Sequence, residues 1–221
     1  MDGVLSLGGA HRAGAQERRY RLLKRGFDLL VCLLLLLPPL LLLAGLLLVL
    51  NPFLNRGPLL FVQERMGQGC RSFRAWKFRT MVPEGSRRPA AGTGERGAFD
   101  ALERDRITPL GRWLRVSHLD ELPQVLNVIR GEMSLVGPRP DYLAHARVYL
   151  EALPGYRERH AVLPGISGYA QTELGYIDGL EGLKAKVACD LHYVRHASLG
   201  MDLRIAGRTV LALVGGQGRG A

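Results

Sequence analysis

The sequence predicts a mostly helical α+β protein with a membrane-associated segment near its N-terminus. Three observations lead to this fold class: an uncharged apolar run at residues 29–50, two extended segments within residues 59–79, and helical periodicity through much of the remaining chain. At 221 residues the chain can form one compact domain and an accessory segment. Its 30 Lys and Arg against 20 Asp and Glu give a net charge of +10, which predicts an anionic partner: nucleic acid, a phospholipid surface or a phosphorylated substrate.

The apolar run at residues 29–50 has the length of a membrane helix. As a straight helix it would extend roughly 33 Å, about the thickness of a bilayer core. Pro38 and Pro39 at its middle remove two backbone donors and predict a sharp bend. Six Lys or Arg lie on each side, within residues 12–25 and 56–79, so the charges do not favour either orientation of a crossing. These features favour a re-entrant helix hairpin that leaves on the face where it entered, with a kinked spanning helix as the alternative.

The chain that follows the apolar run predicts a small β-hairpin and then a loop. Residues 59–79 indicate two strands around a turn at residues 67–69. Residues 83–104 are rich in Gly, Pro and Arg and carry little to bury, so we predict a mobile loop. The predicted organisation is a basic N-terminal segment (1–26), a re-entrant membrane helix (27–55), a globular domain (56–214) and a flexible tail (215–221).

The second half of the chain has the periodicity of amphipathic helices. Residues 141–153 and 180–196 predict two of them, and Leu119, Leu122, Leu126 and Ile129 form one apolar stripe. A last helix is predicted after Ser198, which is a suitable N-cap. It could pack on the core or lie in a membrane interface, and its apolar face consists of Leu203, Ala206, Val210 and Leu213.

The adjacent carboxylates Asp120 and Glu121 are candidates for separate roles at one site. On a regular helix they would point about 100° apart, which does not suit a pair facing each other across a bond. Pro123 fits the first turn of a helix and so places both acids at or just before its N-terminus. An ionised Asp can attack phosphorus, and a neighbouring Glu can hold Mg²⁺. The alternative is helix capping, because Ser117 and Asp120 have nearly the spacing of a capping box.

Three basic residues are candidates for contact with phosphate. Arg139 lies between Pro138 and Pro140, and these prolines restrict the direction of its guanidinium. Lys77 and Arg79 lie in a predicted strand and suit phosphate contact as well. A surface turn at Arg139 and solvated strand charges at the other two are the alternatives. The six histidines and three cysteines have no metal-ligand spacing, which predicts a reducing, cytoplasmic setting without zinc or disulfides.

Several long motifs in order resemble the bacterial sugar transferase family, the monotopic phosphoglycosyl transferases. The resemblance covers residues 24–209 and rests on "KRGFD", "KFRTM", "DRITPLGRWLR", "LDELPQVLNVIRGEMSLVGPRP", "LPGISGYAQ" and "DLHYV". Two departures stand out. His118 replaces the usual Ser or Thr before "LDELP", and "TELGY" replaces the familiar Asn-Gly-Arg after "GYAQ". The second departure leaves the identity of the sugar open.

The resemblance implies an enzyme of the bacterial inner membrane whose helical globular part is catalytic and faces the cytoplasm at the membrane interface. It implies transfer of a sugar-1-phosphate from a UDP-sugar to undecaprenyl phosphate, with release of UMP, as the first membrane step of exopolysaccharide or glycoconjugate synthesis. In this family the aspartate of the D-E pair becomes covalently phosphoglycosylated. Carried over to this chain, the resemblance assigns Asp120 as nucleophile, Glu121 as Mg²⁺ ligand, Arg139 as a contact of the nucleotide or its phosphates, Lys77 and Arg79 as residues lining the same site, and Asp190 as a further contributor.

Two other functions are compatible with the residues. One is a membrane-anchored, non-catalytic adaptor whose basic surface binds anionic lipid, and the other is a glycosyl transferase that releases UDP. No motif for RNA or DNA binding is present in the sequence, so the expected partners are membrane lipids, the nucleotide sugar and the lipid phosphate. A monomer and a homodimer both agree with the sequence.

Overall fold

The computed structural model describes residues 3–82, 106–174 and 179–215, with side chains from Glu17 to Leu213. Within these ranges the chain is mostly helical and contains two small sheets, which confirms a mostly helical α+β architecture. The predicted mobile loop at 83–104 and most of the predicted tail lie outside the described residues. The helices are α1 (Gly3–Val31), α2 (Leu37–Leu54), α3 (Pro109–Val116), α4 (Gln124–Arg130), α5 (Leu143–Ala152), α6 (Tyr169–Leu174), α7 (Gly179–His196) and α8 (Leu199–Val214), and the strands are β1 (Leu60–Met66), β2 (Ser72–Phe78), β3 (Ser134–Val136) and β4 (Gly165–Ser167).

The first two helices follow each other through one π-helical turn, Cys32–Leu36. In this turn the N–H of Leu37 donates to the carbonyl of Cys32, five residues earlier. The π-helical turn ends two residues before Pro38 and Pro39, whose missing N–H groups cannot continue the α-helical pattern. The backbone therefore departs from the α-helix just before the prolines. The sharp bend and the re-entrant path through a membrane stay predictions. Among the described residues, Glu17–Leu54 is a helical segment that is long enough and apolar enough to cross a membrane.

The predicted β-hairpin is present. Strands β1 and β2 pair antiparallel over their full length, with Leu60 opposite Phe78 and Met66 opposite Ser72. Their connection contains the short 3₁₀ turn Gln68–Cys70, which lies at the predicted turn. The hairpin ends at the residue that precedes Arg79, and this boundary becomes important for the site.

Strands β3 and β4 form a second, parallel sheet that the sequence did not predict. Each has three residues, which is too short to display an alternating pattern. Gly137 directly follows β3 and lets the two segments approach closely, because a Cβ there would lie 2.4 Å from the carbonyl oxygen of Leu163. This small sheet carries the chain from β3 into Pro138, Arg139 and Pro140.

The main apolar core lies between the hairpin, helices α3 and α4, and the apolar helical segment formed by the end of α1, the π-helical turn and α2. We call this segment the membrane segment, after its predicted location. Helix α2 contributes Leu40 and Leu47, and the predicted stripe from Leu119 to Ile129 packs against the same cluster, which confirms its inward orientation. Polar contacts fix the membrane segment to this core at its start, where Asp28 accepts a hydrogen bond from Ser134 Oγ at 2.7 Å. The other buried members of the cluster are Cys32, Phe78, Leu114, Val125, Val128 and Met133.

The final helix, α8, begins as predicted, since the Ser198 hydroxyl accepts a hydrogen bond from the N–H of Met201 at 3.3 Å. Its predicted apolar face is largely exposed: Leu203, Val210 and Leu213 are each more than half exposed. The helix packs inward through Ile205 instead. The helix therefore does pack on the core, but of the predicted face only Ala206 takes part. Its location in a membrane interface stays a prediction.

Helix α3 is held close to the end of the hairpin. Thr108 caps the helix by accepting a hydrogen bond from the N–H of Gly111 at 2.9 Å. A Cβ on Gly111 would lie 2.0 Å from the carbonyl oxygen and 2.6 Å from the carbonyl carbon of Thr80. Arg115 of the same helix donates to the Thr80 hydroxyl at 3.0 Å. Backbone contact thus fixes α3, and the turn that follows it, against the hairpin.

We expect Gly111→Ala to destabilise the protein, because the new methyl group would meet backbone atoms that cannot rotate away. The clash should lower the free energy of unfolding by about 1–3 kcal/mol or more, against a gain in helix propensity of about 1 kcal/mol. Gly207→Ala in α8 is the matched control, since a Cβ at Gly207 meets nothing within 4 Å. Denaturant unfolding of the detergent-solubilised protein measures both variants. Equal stability of the two would contradict the close approach of α3 to Thr80.

Candidate active site

Asp120 and Glu121 lie in a 3₁₀ turn, Leu119–Glu121, between helices α3 and α4. The turn begins at His118, which has a left-handed backbone with φ 56°. Pro123 directly precedes α4, as predicted, so both acids precede that helix. The capping-box alternative is wrong, because the Ser117 hydroxyl donates backwards to the carbonyls of Trp113 and Leu114.

Glu121 is held by two cations from distant parts of the chain. Lys77 Nζ of β2 lies 2.7 Å from Oε1. Arg139 forms a bidentate pair with the same carboxylate, in which Nη1 lies 2.9 Å from Oε2 and Nη2 contacts Oε1. Burial opposes ionisation of Glu121, but the charges of Arg139 and Lys77 outweigh it and hold its pKa at about 2. Glu121 is therefore an ionised carboxylate whose orientation is fixed.

Asp120 has the opposite environment. Within the described residues its half-buried carboxylate accepts no hydrogen bond. Burial and the adjacent charge of Glu121 raise the pKa of Asp120, while Lys77, Arg115 and His118 act in the lowering direction. The acid pair thus combines one carboxylate fixed by cations with one whose oxygens lack partners, and an oxygen without donors is more available for reaction.

Arg79 lies away from the acid cluster, which consists of Asp120, Glu121, Lys77 and Arg139. Its guanidinium donates to the carbonyls of Pro58 at 2.7 Å and Met81 at 2.8 Å, and it also contacts the carbonyl of Asn55. Only 7% of the residue is exposed. Arg79 therefore joins the end of the membrane segment to the hairpin. It does not contact Asp120 or Glu121, and its assignment as a substrate contact stays a prediction.

Asp190 also lies outside the acid cluster but connects to it through one buried arginine. Arg159 Nη2 lies 2.7 Å from Oδ2 of Asp190, and both side chains are 1% exposed. The same guanidinium pairs with Asp141 at 2.5 Å and donates to the backbone carbonyl of Arg139 at 2.7 Å. Asp190 is thus three contacts away from Glu121, through Arg159 and Arg139. The network fixes the backbone of the P-R-P segment, residues 138–140.

Two further arginines of the site have no signal in the sequence. Arg159 lies in the short 3₁₀ turn Glu158–Ala161 between α5 and β4, which is too short for a periodic pattern to mark a buried charge. Arg65 of β1 donates to the carbonyl of Pro140 at 2.8 Å, beside Arg139. Burial lowers the pKa of Arg65, and the charges of Arg139 and Glu121 also act on it. The site is therefore richer in arginine than the motifs alone indicate.

The acid pair meets the ordinary requirements of a magnesium site. Mg²⁺ is commonly held by one or two carboxylates together with water and substrate phosphates rather than by a full protein cage. Oε1 of the ionised Glu121 already accepts from Lys77 and Arg139, but Oε2 accepts from Arg139 alone and keeps one lone pair for a metal. Asp120 has oxygens without partners among the described residues, so one oxygen of each acid fits such a site. No group of three or more His, Cys, Asp or Glu that could form a complete cage occurs within the described ranges. Any metal here would need phosphate or water oxygens to complete its coordination.

Comparison of the sequence with known proteins identifies the family. The sequence model of a family described as "Bacterial sugar transferase" matches residues 19–216. A UDP-N-acetylgalactosamine-undecaprenyl-phosphate N-acetylgalactosaminephosphotransferase of Aeromonas hydrophila is 36% identical over 90% of this chain and 45% of its own length. A UDP-glucose:undecaprenyl-phosphate glucose-1-phosphate transferase of Escherichia coli is 39% identical over 86% of this chain and 40% of its own length.

The length of the relatives varies. The chain spans less than half of the two proteins just described. It is also 40% identical to the exopolysaccharide production protein PSS of Rhizobium leguminosarum, over 86% of this chain and 94% of that relative.

Proposed function

Because the chain belongs to the bacterial sugar transferase family, we propose that it transfers a sugar-1-phosphate from a UDP-sugar to undecaprenyl phosphate and releases UMP. Two relatives are named for transfer from UDP-N-acetylgalactosamine and UDP-glucose, so relatives of similar identity differ in their sugar. The sugar used by this chain is therefore a matter for experiment. The product would be undecaprenyl-diphosphate-sugar.

One observation carries the proposal: Asp120, without a hydrogen-bond partner in the described residues, lies beside a carboxylate fixed by Lys77 and Arg139. A carboxylate nucleophile needs an accessible oxygen, and a diphosphate substrate needs cations close to it. The acid turn and the P-R-P segment supply both within one cluster. A non-catalytic lipid-binding surface would not require this arrangement.

The proposed reaction has two displacements at the same phosphorus. An oxygen of Asp120 attacks the sugar-linked phosphorus of the UDP-sugar, an O–P bond forms, and the bond to the departing UMP breaks with its electron pair on UMP. An oxygen of undecaprenyl phosphate then attacks this phosphorus, and the bond to Asp120 breaks. The carboxylate of Asp120 is regenerated, so neither water nor a redox partner is consumed.

Charge is the main barrier to this chemistry, because an anion attacks an anion. Arg139 and Lys77 are placed to stabilise phosphate oxygens, and a guanidinium can hold two of them at once. Glu121, with Asp120 beside it, would hold Mg²⁺, which neutralises diphosphate charge when bound. Because Glu121 is fixed in position, a metal held there would lie next to the attacking oxygen of Asp120.

The contacts of the membrane segment support a re-entrant path. Near its start, Arg25 donates to the carbonyls of Val128 and Ile129 at 2.6 and 2.9 Å. At its end, Asn55 donates to the carbonyl of Arg79 at 2.8 Å. A spanning helix would place its ends on opposite sides of a bilayer core of about 30 Å, so one globular domain could not contact both. We therefore place the catalytic part on one face of the membrane. We propose the cytoplasmic face of the bacterial inner membrane, because the six Lys or Arg on each side of the apolar run favour that side.

The direct test of the proposed function is to incubate the detergent-solubilised protein with undecaprenyl phosphate, Mg²⁺ and a panel of UDP-sugars. We expect UMP to be released with at least one of them, together with an equal amount of lipid-linked diphosphate sugar. Release of UDP would instead indicate transfer of the sugar alone. Binding of anionic lipid without release of any nucleotide would favour the adaptor.

The rate should also depend on pH through Asp120. The reaction requires the ionised carboxylate, and because the pKa of Asp120 is raised, activity should decline at a higher pH than an ordinary aspartate would allow. Arg115 acts to lower this pKa, so Arg115→Gln should move the acid limb of the kcat/KM profile to higher pH. Arg112→Gln, an exposed arginine on the same helix, is the control. An unchanged or downward-shifted acid limb in Arg115→Gln would contradict ionisation of Asp120 as the controlling step.

A further inference from the structure

An open cavity of about 490 Å³ lies beside the P-R-P segment, outside the acid cluster. This volume is within the range of small-molecule sites, about 300 to 1,000 Å³. The cavity is formed between the start of α5 and the first half of α7. Its wall includes Asp141, Tyr142, His145, Tyr149, Leu183 and Lys186.

Three aromatic rings form a continuous wall of this cavity. The ring centroids of Tyr142 and His145 are 5.7 Å apart, and those of His145 and Tyr149 are 6.2 Å apart. Tyr142 is 44% exposed although it is a large aromatic residue. Exposed aromatic rings in a concave wall are suited to stacking with a flat ring of a ligand.

The polar part of the wall can hydrogen-bond to such a ring. Lys186 Nζ lies 2.5 Å from Oδ1 of Asp141, and both side chains are mostly buried. The pair occupies one of the three ammonium donors of Lys186. Within the described residues the other two have no protein acceptor, so they can meet the carbonyl oxygens of a nucleobase.

Arg65 connects the wall of this cavity to the P-R-P segment. This guanidinium lies 4.0 Å above the centroid of the Tyr142 ring and donates to the carbonyl of Pro140 at 2.8 Å. Tyr142 is three positions after Arg139, which is at most about 11 Å along an extended chain. A ligand with its phosphates at Arg139 can therefore place its other end at Tyr142.

We propose that this cavity binds the nucleoside of the nucleotide sugar, with the base stacked on Tyr142 and its carbonyl edge facing Lys186. This inference rests on the proposed function and adds the location of the leaving group. The sugar end of the substrate then points away from the cavity, towards Asp120. The site would hold UMP after the first displacement, so its affinity for UMP alone measures the interaction.

The test is calorimetric binding of UMP to the full chain in detergent. Tyr142→Leu should raise the Kd for UMP by about 5- to 150-fold, the range observed when one stacking aromatic is removed. Tyr142→Phe keeps the ring and should stay within about two-fold of wild type. His145→Ala, at an exposed position, should also weaken binding. Phe61→Leu, which removes an exposed ring of β1 outside the cavity, is the control and should have no effect.

Steady-state kinetics separate this inference from the proposed function. Tyr142→Leu should raise KM for the UDP-sugar with little change in kcat, because the ring acts equally on substrate and transition state. Unchanged UMP affinity in Tyr142→Leu would overturn the nucleoside site, even if UMP release proceeds normally. A raised KM for the UDP-sugar with unchanged UMP affinity would place the sugar in the cavity and would equally overturn it. Binding of UMP requires no transfer, so it can be measured even if the reaction itself is not observed.

Discussion

Replacing Asp120 by asparagine is expected to abolish sugar-phosphate transfer while the protein remains folded and membrane-associated. The amide has nearly the same shape as the carboxylate but is a very poor nucleophile, so the rate should fall by at least about 1,000-fold. Release of UMP from the UDP-sugar measures this loss. The effect should be on kcat, because the side chain acts on the reacting phosphorus rather than on the rest of the substrate.

The same substitution should not reduce stability. Burial and Glu121 raise the pKa of Asp120, which means that the fold disfavours its ionised form, and this penalty is present once the pH exceeds its folded pKa. An amide at this position would not carry that charge, so Asp120→Asn should unfold at the same or a higher denaturant concentration than wild type at neutral pH. Glu64→Gln, an exposed carboxylate on β1, controls for loss of one negative charge. Substantial transfer by Asp120→Asn would exclude this residue as the nucleophile.

Replacing Arg159 by methionine is expected to cause the largest loss of stability among single substitutions in the site. Arg159 and Asp190 are each 1% exposed, so removing the guanidinium leaves Asp190 as a buried charge without its partner. Two further contacts of the guanidinium would also be lost, one with Asp141 and one with the backbone carbonyl of Arg139. Breaking a buried pair in this way typically costs about 3–5 kcal/mol. Denaturant unfolding in detergent measures it.

The double variant Arg159→Met with Asp190→Asn tests the reason for that loss. If the penalty comes from the unpaired carboxylate, neutralising Asp190 should restore part of the stability, and the two substitutions will not be additive. Arg21→Met is the matched control, because Arg21 and Glu17 form an exposed pair with side chains 68% and 60% exposed. Such a pair contributes about 0–1 kcal/mol. A loss in Arg159→Met no larger than in this control would show that the buried network contributes little.

The sequence predicted the acid cluster better than its outer parts, and the reason is local geometry. Lys77 lies within strand β2, where side-chain direction follows the alternation of the strand, and it reaches Glu121 at 2.7 Å. Arg79 is two residues further and would share that face in a longer strand. Because β2 ends at Phe78, the alternation stops before Arg79, and its guanidinium turns to the carbonyls of Asn55, Pro58 and Met81.

Asp190 and Arg159 illustrate a different difficulty. Asp190 lies on a helix whose extent could be predicted from its periodicity, but the periodicity gives no partner for a buried carboxylate. The partner, Arg159, comes from a short 3₁₀ turn 31 residues earlier. Long-range pairs of this kind depend on how the helices and the small parallel sheet pack together, and neither that sheet nor its close approach at Gly137 has a sequence pattern of its own.

The most direct test of the proposed mechanism is mass spectrometry of the protein after a single turnover with a UDP-sugar in the absence of undecaprenyl phosphate. The mechanism predicts that the protein gains the mass of one sugar phosphate, that fragmentation places the adduct on Asp120, and that adding the lipid phosphate removes it. Complete conversion to UMP without an adduct, or an adduct on another side chain, would contradict attack by Asp120.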